Sequence, residues 1–143
     1  MFKMQDVLIP GRFFCFILQL LLTISAGFGY KDFVLAITQD EDSDDYDKEV
    51  TRFFVILGFF LLCELFEFIV LLLGYTLFID FLSLAQIFFH SIAVLILNWF
   101  YRDVWESKQM YIPFILGGII PAFFEAYNLI VLCGSNRIIT EIH

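Results

Sequence analysis

The sequence predicts an all-α membrane protein, a bundle of four transmembrane helices. Of its 143 residues, 61% are hydrophobic and 20 are Phe, and a mean hydropathy of +0.87 excludes an ordinary water-soluble domain. A bilayer core about 30 Å thick is crossed by about 20 apolar residues in a helix. Four segments reach that length, at about residues 13–29, 53–74, 81–101 and 111–133. We therefore expect one membrane domain, residues 1–143, with an acidic loop over residues 30–52.

The first segment, 13–29, has two interpretations. Lys3 and Arg12 precede it and the small residues 25–27 end it, a pattern that a cleaved signal peptide shares with a retained span. We favour the retained span and keep the signal peptide as the alternative.

The second and third segments form a hairpin. As one helix, residues 53–101 would extend about 70 Å at about 1.5 Å per residue, far beyond one bilayer. Gly74 and Asp80 bracket the expected turn. The short connection makes these two spans antiparallel neighbours.

The loop between the first two spans is strongly acidic. In "TQDEDSDDYDKE" seven acids fall between Asp40 and Glu49, and such a run repels itself and stays solvated. We favour a linker. A docking site for a basic partner and a weak calcium site are the alternatives, although the spacing does not fit an EF-hand. The three cysteines have no CxxC spacing, so we expect no metal cluster.

Each predicted span carries a polar stripe at helical spacing. An ionised acid facing lipid is among the costliest groups to place in a membrane, so we expect all four stripes to face one shared interior. The stripes are Gln19, Thr23 and Ala26; Glu64 and Glu67; Ser83, Gln86 and His90; and Gly118, Pro121, Glu125 and Asn128.

Counting depth along the spans predicts an intramembrane polar cluster. Glu64 and His90 fall near the middles of their segments, and Gln86 reaches the depth of Glu67 and Glu125 because the third span runs the opposite way. We expect Glu64 to hydrogen-bond His90 or Glu125. Burial favours neutral carboxyl groups, whereas a charged imidazole nearby favours an ionised one, so these groups titrate as a set.

We interpret the cluster first as hydrogen bonding between helices, and second as a proton or ion path; lipid-headgroup binding is a third interpretation. A transporter usually shows internal repeats and broken spans, and only Pro121 breaks a span in its middle. No nucleophile elbow, HExxH motif or nucleotide loop occurs, and eight Lys and Arg in total do not form a nucleic-acid surface. We expect no catalytic residues, no cofactor, no nucleic acid and no small-molecule substrate.

Motifs in order along the chain resemble the transmembrane protein 107 family. "LIPGRFFCF" is similar to the family's Pro-x-Arg-Phe opening, and "PAFFEA" to its Pro-Ala-x-x-Glu. Glu64 with Leu65 resembles its mid-span Glu-Leu, and His90 its third-span histidine. The loop motifs are Tyr46, Asp47 and Lys48, and Trp105 with Glu106. The resemblance covers about residues 8 to 132; Glu67 has no counterpart in it.

The resemblance implies a non-catalytic scaffold subunit of the ciliary transition zone, in the Meckel-syndrome module that forms the diffusion barrier at the ciliary base. It implies membrane lipid and other zone proteins as partners, namely tectonic, small multispan and B9-domain proteins. Trp105 is equally expected as an interfacial aromatic residue. A proton-coupled carrier or channel and a generic membrane assembly factor are the alternative functions.

The resemblance also implies cytoplasmic termini. The positive-inside rule disagrees, because Lys3, Arg12 and Arg137 lie on that side and five cations lie opposite: Lys31, Lys48, Arg52, Arg102 and Lys108. We keep cytoplasmic termini as the expectation.

Overall fold

The predicted spans are long helices in a computed structural model, which describes residues 4–38, 45–74, 80–103 and 107–141. Helices suit these segments because a backbone in lipid must satisfy its own hydrogen bonds. Four stretches are long and apolar enough to cross a membrane: Asp6–Phe28, Tyr46–Leu73, Asp80–Arg102 and Tyr111–Gly134. The described residues contain helices and turns but no strand. The predicted all-α, four-span fold is thereby confirmed.

The helices follow in the order α1 to α6, and the fourth span combines the last two with a π-helical turn. Their bounds are α1 Met4–Phe28, α2 Tyr30–Thr38, α3 Tyr46–Leu73, α4 Asp80–Arg102, a 3₁₀ turn at Ser107–Met110, α5 Tyr111–Phe114, the π-helix Ile115–Ile119 and α6 Ile120–Glu141. With four crossings, the start of α1, the end of α6, Gly74 and Asp80 lie on one side, which we name the terminus side. The opposite side, with α2 and the 3₁₀ turn, is named the loop side.

Helix α1 begins earlier than the expected start of the first span at residue 13. It starts at Met4 and runs through Pro10 and Arg12. Arg12 is only 3% exposed and donates a hydrogen bond to Glu125. The helix continues because this cation is bound inside the bundle and does not have to remain in water.

The expected loop 30–52 is largely helical where the structure describes it, which differs from the sequence prediction. Helix α2 occupies its first part because Phe33 and Val34 are buried. The Phe33 ring packs on Phe100, with ring centroids 4.3 Å apart. Helix α3 already begins at Tyr46, and residues 39–44 lie outside the described part.

Helix α3 ends at Gly74, where the expected hairpin begins. Gly74 has φ 73°, in the left-handed region that favours glycine. Its N–H donates to the carbonyl oxygens of Val70 and Leu71, both at 3.2 Å. This cap stops the helix so that α4 returns from Asp80.

The interior of the bundle divides into an apolar half and a polar half. The loop-side half is a cluster of apolar side chains, and the buried polar side chains lie in the terminus-side half. The apolar cluster comprises Ala26, Phe33, Val34, Phe53, Leu57, Phe60, Leu97, Phe100 and Met110. The polar half also contains buried apolar side chains, namely Phe16, Val70, Leu71 and Leu82.

Candidate functional site

The candidate site is the buried polar half of the bundle. Its buried polar and charged residues are Arg12, Gln19, Thr23, Glu64, Glu67, Ser83, Gln86, His90 and Glu125. All five residues predicted from the sequence as the polar cluster lie in this set. Arg12 is the member that sequence reasoning placed elsewhere, as a charge flanking the first span.

Glu64 is bound by helix α1. Its Oε1 accepts hydrogen bonds from Gln19 Nε2 and from Thr23 Oγ1, both at 2.9 Å. Gln19 and Thr23 are one helical turn apart, so both reach the same oxygen. Glu64 is completely buried, and this contact joins α1 to α3 inside the bundle.

His90 on α4 bridges Gln19 and Glu67. Its Nδ1 lies 3.0 Å from Gln19 Oε1 and its Nε2 lies 3.0 Å from Glu67 Oε2. The Phe16 ring meets the imidazole edge-on at 5.7 Å between centroids, which fixes the ring plane. Three helices are thus connected through one imidazole.

A second group lies closer to the terminus side. Arg12 Nη2 donates to Glu125 Oε1, forming a buried salt bridge between α1 and α6. Gln86 Nε2 lies 3.4 Å from the same oxygen and 3.2 Å from the Pro121 carbonyl oxygen. Glu125 therefore has partners on two other helices.

Two expected contacts are corrected by this geometry. Glu64 bonds neither His90 nor Glu125 in the described residues; its partners are Gln19 and Thr23. The physical reason is that the Gln19 amide from α1 inserts between Glu64 and His90. The expected single cluster is thus two hydrogen-bonded groups, and Glu67, for which the resemblance gave no role, contacts His90 directly.

The backbone of the fourth span explains how Gln19 is held. Pro121 has no N–H, so the carbonyl four residues earlier, on Gly117, lacks its usual helical donor. Gln19 Nε2 donates to that carbonyl at 2.8 Å. A Cβ on Gly117 would lie 2.4 Å from the Ala93 Cβ, so glycine is needed where this π-helical stretch meets α4. Small residues are what allow two membrane helices to pack this closely.

Several buried oxygens have no hydrogen-bond partner among the described residues. They are Glu64 Oε2, Glu67 Oε1, Gln86 Oε1, Glu125 Oε2 and Asp80 Oδ1. Each of the three glutamates therefore uses one oxygen in a contact and leaves the other without a partner. A buried oxygen without a hydrogen-bond partner lowers the stability of the folded protein. The chemistry of the site therefore depends on whether these oxygens carry a proton or accept a hydrogen bond from water.

The side chains of the site offer acid, imidazole and amide groups. Among the residues that the structure describes, no group of three or more His, Cys, Asp or Glu is placed to hold a metal ion. These groups can bind and exchange protons, and their hydrogen bonds connect the helices.

Of the loop residues expected from the resemblance, Tyr46, Asp47 and Lys48 form the first turn of α3 on the loop side. Lys48 Nζ lies 2.8 Å from Asp45 Oδ1. The hydrogen bond from Lys48, together with its charge, lowers the pKa of Asp45 below its ordinary value. Trp105 and Glu106 lie outside the described residues.

The fold and the site define a four-span helical membrane protein whose helices are joined by a buried polar network. Comparison with known families identifies it further. The family TMEM107, described as "Transmembrane protein", matches residues 8–129. The chain belongs to this family, as the motifs predicted. No curated protein and no solved structure matches the chain.

Proposed function

We propose that this protein is a non-catalytic membrane scaffold subunit of the ciliary transition zone, where it supports cilium assembly and the membrane diffusion barrier at the ciliary base. The observation that carries the proposal is the family match over residues 8–129. The ciliary role itself comes from the resemblance.

The architecture is suited to a scaffold. Its buried polar side chains bond mainly to one another, across α1, α3, α4 and α6. Large apolar side chains cover the outside of all four spans; Phe14, Leu72, Leu95 and Phe123 are each more than 60% exposed. Such a surface fits membrane lipid and neighbouring transmembrane helices. The proposed partners are tectonic proteins, small multispan proteins and B9-domain proteins of the zone.

The proposed contacts with those partners lie on the loop side. Asp47 and Lys48 are exposed at the start of α3, beside Tyr46. Trp105 and Glu106 come between the third and fourth spans in the sequence, outside the described residues. Their motifs are the loop positions that the family resemblance singles out.

A proton-coupled carrier or channel is the second candidate, and the buried acids and imidazole favour it. A carrier needs a route to both faces of the membrane. The apolar cluster closes the loop-side half of the interior, where Phe53, Phe60 and Phe100 are completely buried. We therefore rank transport below the scaffold function. A generic assembly factor of secretory membranes is the third candidate.

Localisation separates these functions. A fluorescently tagged chain in ciliated cells should form a ring at the base of the axoneme, and loss of the gene should reduce cilium number or let plasma-membrane proteins enter the cilium. Uniform endomembrane signal would favour an assembly factor instead. Proton flux in proteoliposomes would favour a carrier.

A matched pair of surface variants tests the loop-side contacts. Lys48→Ala should weaken the ring and reduce recovery of the partner proteins. Lys31→Ala alters another exposed lysine of the loop side and should leave both unchanged. Equal behaviour of the two variants would show that the first turn of α3 makes no specific contact.

A further inference from the structure

The hydrogen bonds around Gln19 fix the position of one proton. Gln19 Nε2 faces two acceptors, Glu64 Oε1 and the Gly117 carbonyl oxygen, so its amide oxygen must face His90. An amide oxygen only accepts hydrogen bonds. His90 therefore donates from Nδ1 at 3.0 Å.

It follows that the contact between His90 and Glu67 also contains a proton. If His90 is neutral, its Nε2 is an acceptor, and the 3.0 Å contact with Glu67 Oε2 requires a protonated carboxyl group. If Glu67 is ionised, His90 must be the cation. In both arrangements one proton is shared by the pair and the pair is neutral.

Charge balance places a second proton on Glu64. Of the buried polar residues that the structure describes, Arg12 alone carries a permanent positive charge. Glu125 is its salt-bridge partner, and its charge also acts on Glu67 and His90. One cation balances only one ionised acid, so with Glu125 ionised the His90–Glu67 pair has to be neutral. An ionised Glu64 would thus be a buried charge with no counterion, which the membrane interior strongly disfavours. The neutral thiol of Cys63, beside the two glutamates of α3, supplies no compensating charge.

In the described part of the chain, buried polar positions lead from these groups toward the terminus side, with Leu82 buried beside them. On α4 a single face carries Asp80, Ser83, Gln86 and His90, which extends about 15 Å at about 1.5 Å per residue. Gln86 is 1% exposed and its Oε1 has no partner among the described residues. Asp80, at the membrane face, is half-buried, and its Oδ1 also has no partner among those residues. Unpaired buried oxygens are acceptors for buried water wherever the site has room for it. Toward the loop side, the interior is the apolar cluster.

We propose that Glu64 and the His90–Glu67 pair form a binding site for two protons, which exchange with the terminus side of the membrane through the polar face of α4. The ligand is the proton, delivered through bound water. The apolar cluster prevents exchange with the loop side, so the site binds protons without conducting them across the membrane.

The number of bound protons is measurable as the pH dependence of unfolding. Each proton held in the folded but not in the unfolded protein makes the unfolding equilibrium constant rise ten-fold per pH unit. Glu64→Gln and Glu67→Gln keep the shape of the side chains and remove one proton site each. Between about pH 5.5 and 6.5, above the ordinary pKa of a glutamate in the unfolded chain, Glu64→Gln should show a ten-fold weaker dependence per pH unit than the native chain. Between about pH 7.5 and 8.5, where the histidine of the unfolded chain is also neutral, Glu67→Gln should show the same ten-fold difference. Asp45→Asn, an exposed acid beside α3, should show no difference.

Infrared spectroscopy gives a readout that a purely structural role does not change. The carbonyl stretch of a protonated carboxyl group should be present in the native chain at neutral pH and should lose intensity in Glu64→Gln. An unchanged spectrum, or the same pH dependence in all four chains, would overturn the proposal. Stabilisation by sodium ions at constant pH, lost in Glu64→Gln, would also overturn it by showing that the site takes a metal cation.

The one-sided route is tested by cysteine labelling. In vesicles of known orientation, and in a chain whose three native cysteines are replaced by alanine, Asp80→Cys, at the half-buried outer end of the polar face, should react with a small membrane-impermeant thiol reagent added on the terminus side. It should not react from the loop side. Leu97→Cys, in the apolar cluster, should react from neither. Labelling of Asp80→Cys from the loop side, or from neither side, would overturn the proposed route.

Discussion

Replacing Glu64 in two ways distinguishes hydrogen bonding from ionisation as the reason for this acid. In Glu64→Gln the new amide oxygen still accepts the two hydrogen bonds from Gln19 and Thr23, each 2.9 Å in the native chain. In Glu64→Leu both bonds are lost. Thr23 retains the Gln19 carbonyl oxygen at 3.0 Å, so the leucine variant mainly leaves one amide N–H of Gln19 without an acceptor.

These contacts set the expected magnitudes. Interhelical hydrogen bonds in membranes average about 0.6 kcal/mol each, and a stranded buried polar group costs roughly 1–3 kcal/mol. We therefore expect Glu64→Leu to lower the free energy of unfolding by roughly 1–3 kcal/mol, and Glu64→Gln to lower it by less than about 0.6 kcal/mol. The assay is unfolding by denaturing detergent in bicelles, with ciliary localisation of both variants alongside.

The result that would refute this reasoning is native-like stability and localisation in both variants. In that case the buried network contributes nothing measurable, and the burial of Glu64 has no structural explanation. A different result would indicate transport. Both variants would then fold normally, and Glu64→Gln would abolish function as completely as Glu64→Leu, because transport of a proton through Glu64 requires an ionisable group.

Three further perturbations follow from the same contacts. Gly117→Ala places a methyl group 2.4 Å from the Ala93 Cβ, so the helices must separate and the unfolding free energy should fall by roughly 1–3 kcal/mol. Gly58→Ala, where a Cβ meets nothing within 4 Å, is the control. Equal losses of stability in the two variants would contradict the close packing. Arg12→Leu should lower the free energy of unfolding by roughly 3–5 kcal/mol because it leaves Glu125 without its counterion. The double variant Arg12→Leu with Glu125→Leu should recover much of that loss. Additive losses in this double-mutant cycle would show that the pair does not interact. Shuffling the acids within residues 40–45 should leave folding and localisation intact if the segment is a solvated linker, whereas loss of the ring at the ciliary base would reveal an order-dependent docking motif.

Periodicity in the sequence was sufficient for the fold and for the inward faces of the helices. Glu64, His90 and Glu125 sit in apolar segments that have only one inward-facing stripe each, so their burial follows from the cost of facing lipid. The same reasoning applies to Arg12, which lies seven residues before Gln19 and therefore on the same face of α1. Its position near the start of the first span favoured its interpretation as a flanking charge.

Partner choice within the site is what the sequence did not specify. Depth counted from segment middles shifts when a helix starts earlier, as α1 does at Met4, and the π-helical turn changes the register of the fourth span. Each of these shifts in depth or register is comparable to the length of a side chain. A polar side chain therefore meets a different partner from the one that depth alone predicts. The insertion of Gln19 between Glu64 and His90 also depends on the free Gly117 carbonyl, a backbone feature that residue spacing does not display.

Orientation is where the family resemblance and the charge distribution disagree, and burial of Arg12 increases the disagreement. The positive-inside rule counts Lys and Arg near the membrane and gives acids little weight. With Arg12 bound to Glu125 inside the bundle, only Lys3 and Arg137 remain on the terminus side. The loop side has five cations, although Lys48, Arg52 and Arg102 each lie beside an acid.

We predict cytoplasmic termini, as the family resemblance implies. A C-terminal tag should then be degraded by protease added after selective permeabilisation of the plasma membrane. A tag inserted in the acidic loop, within residues 40–45, should stay protected in the same cells. The reverse pattern would show that the loop-side cations determine the topology. It would also assign the polar face of α4, and the protons of Glu64 and Glu67, to the non-cytoplasmic side.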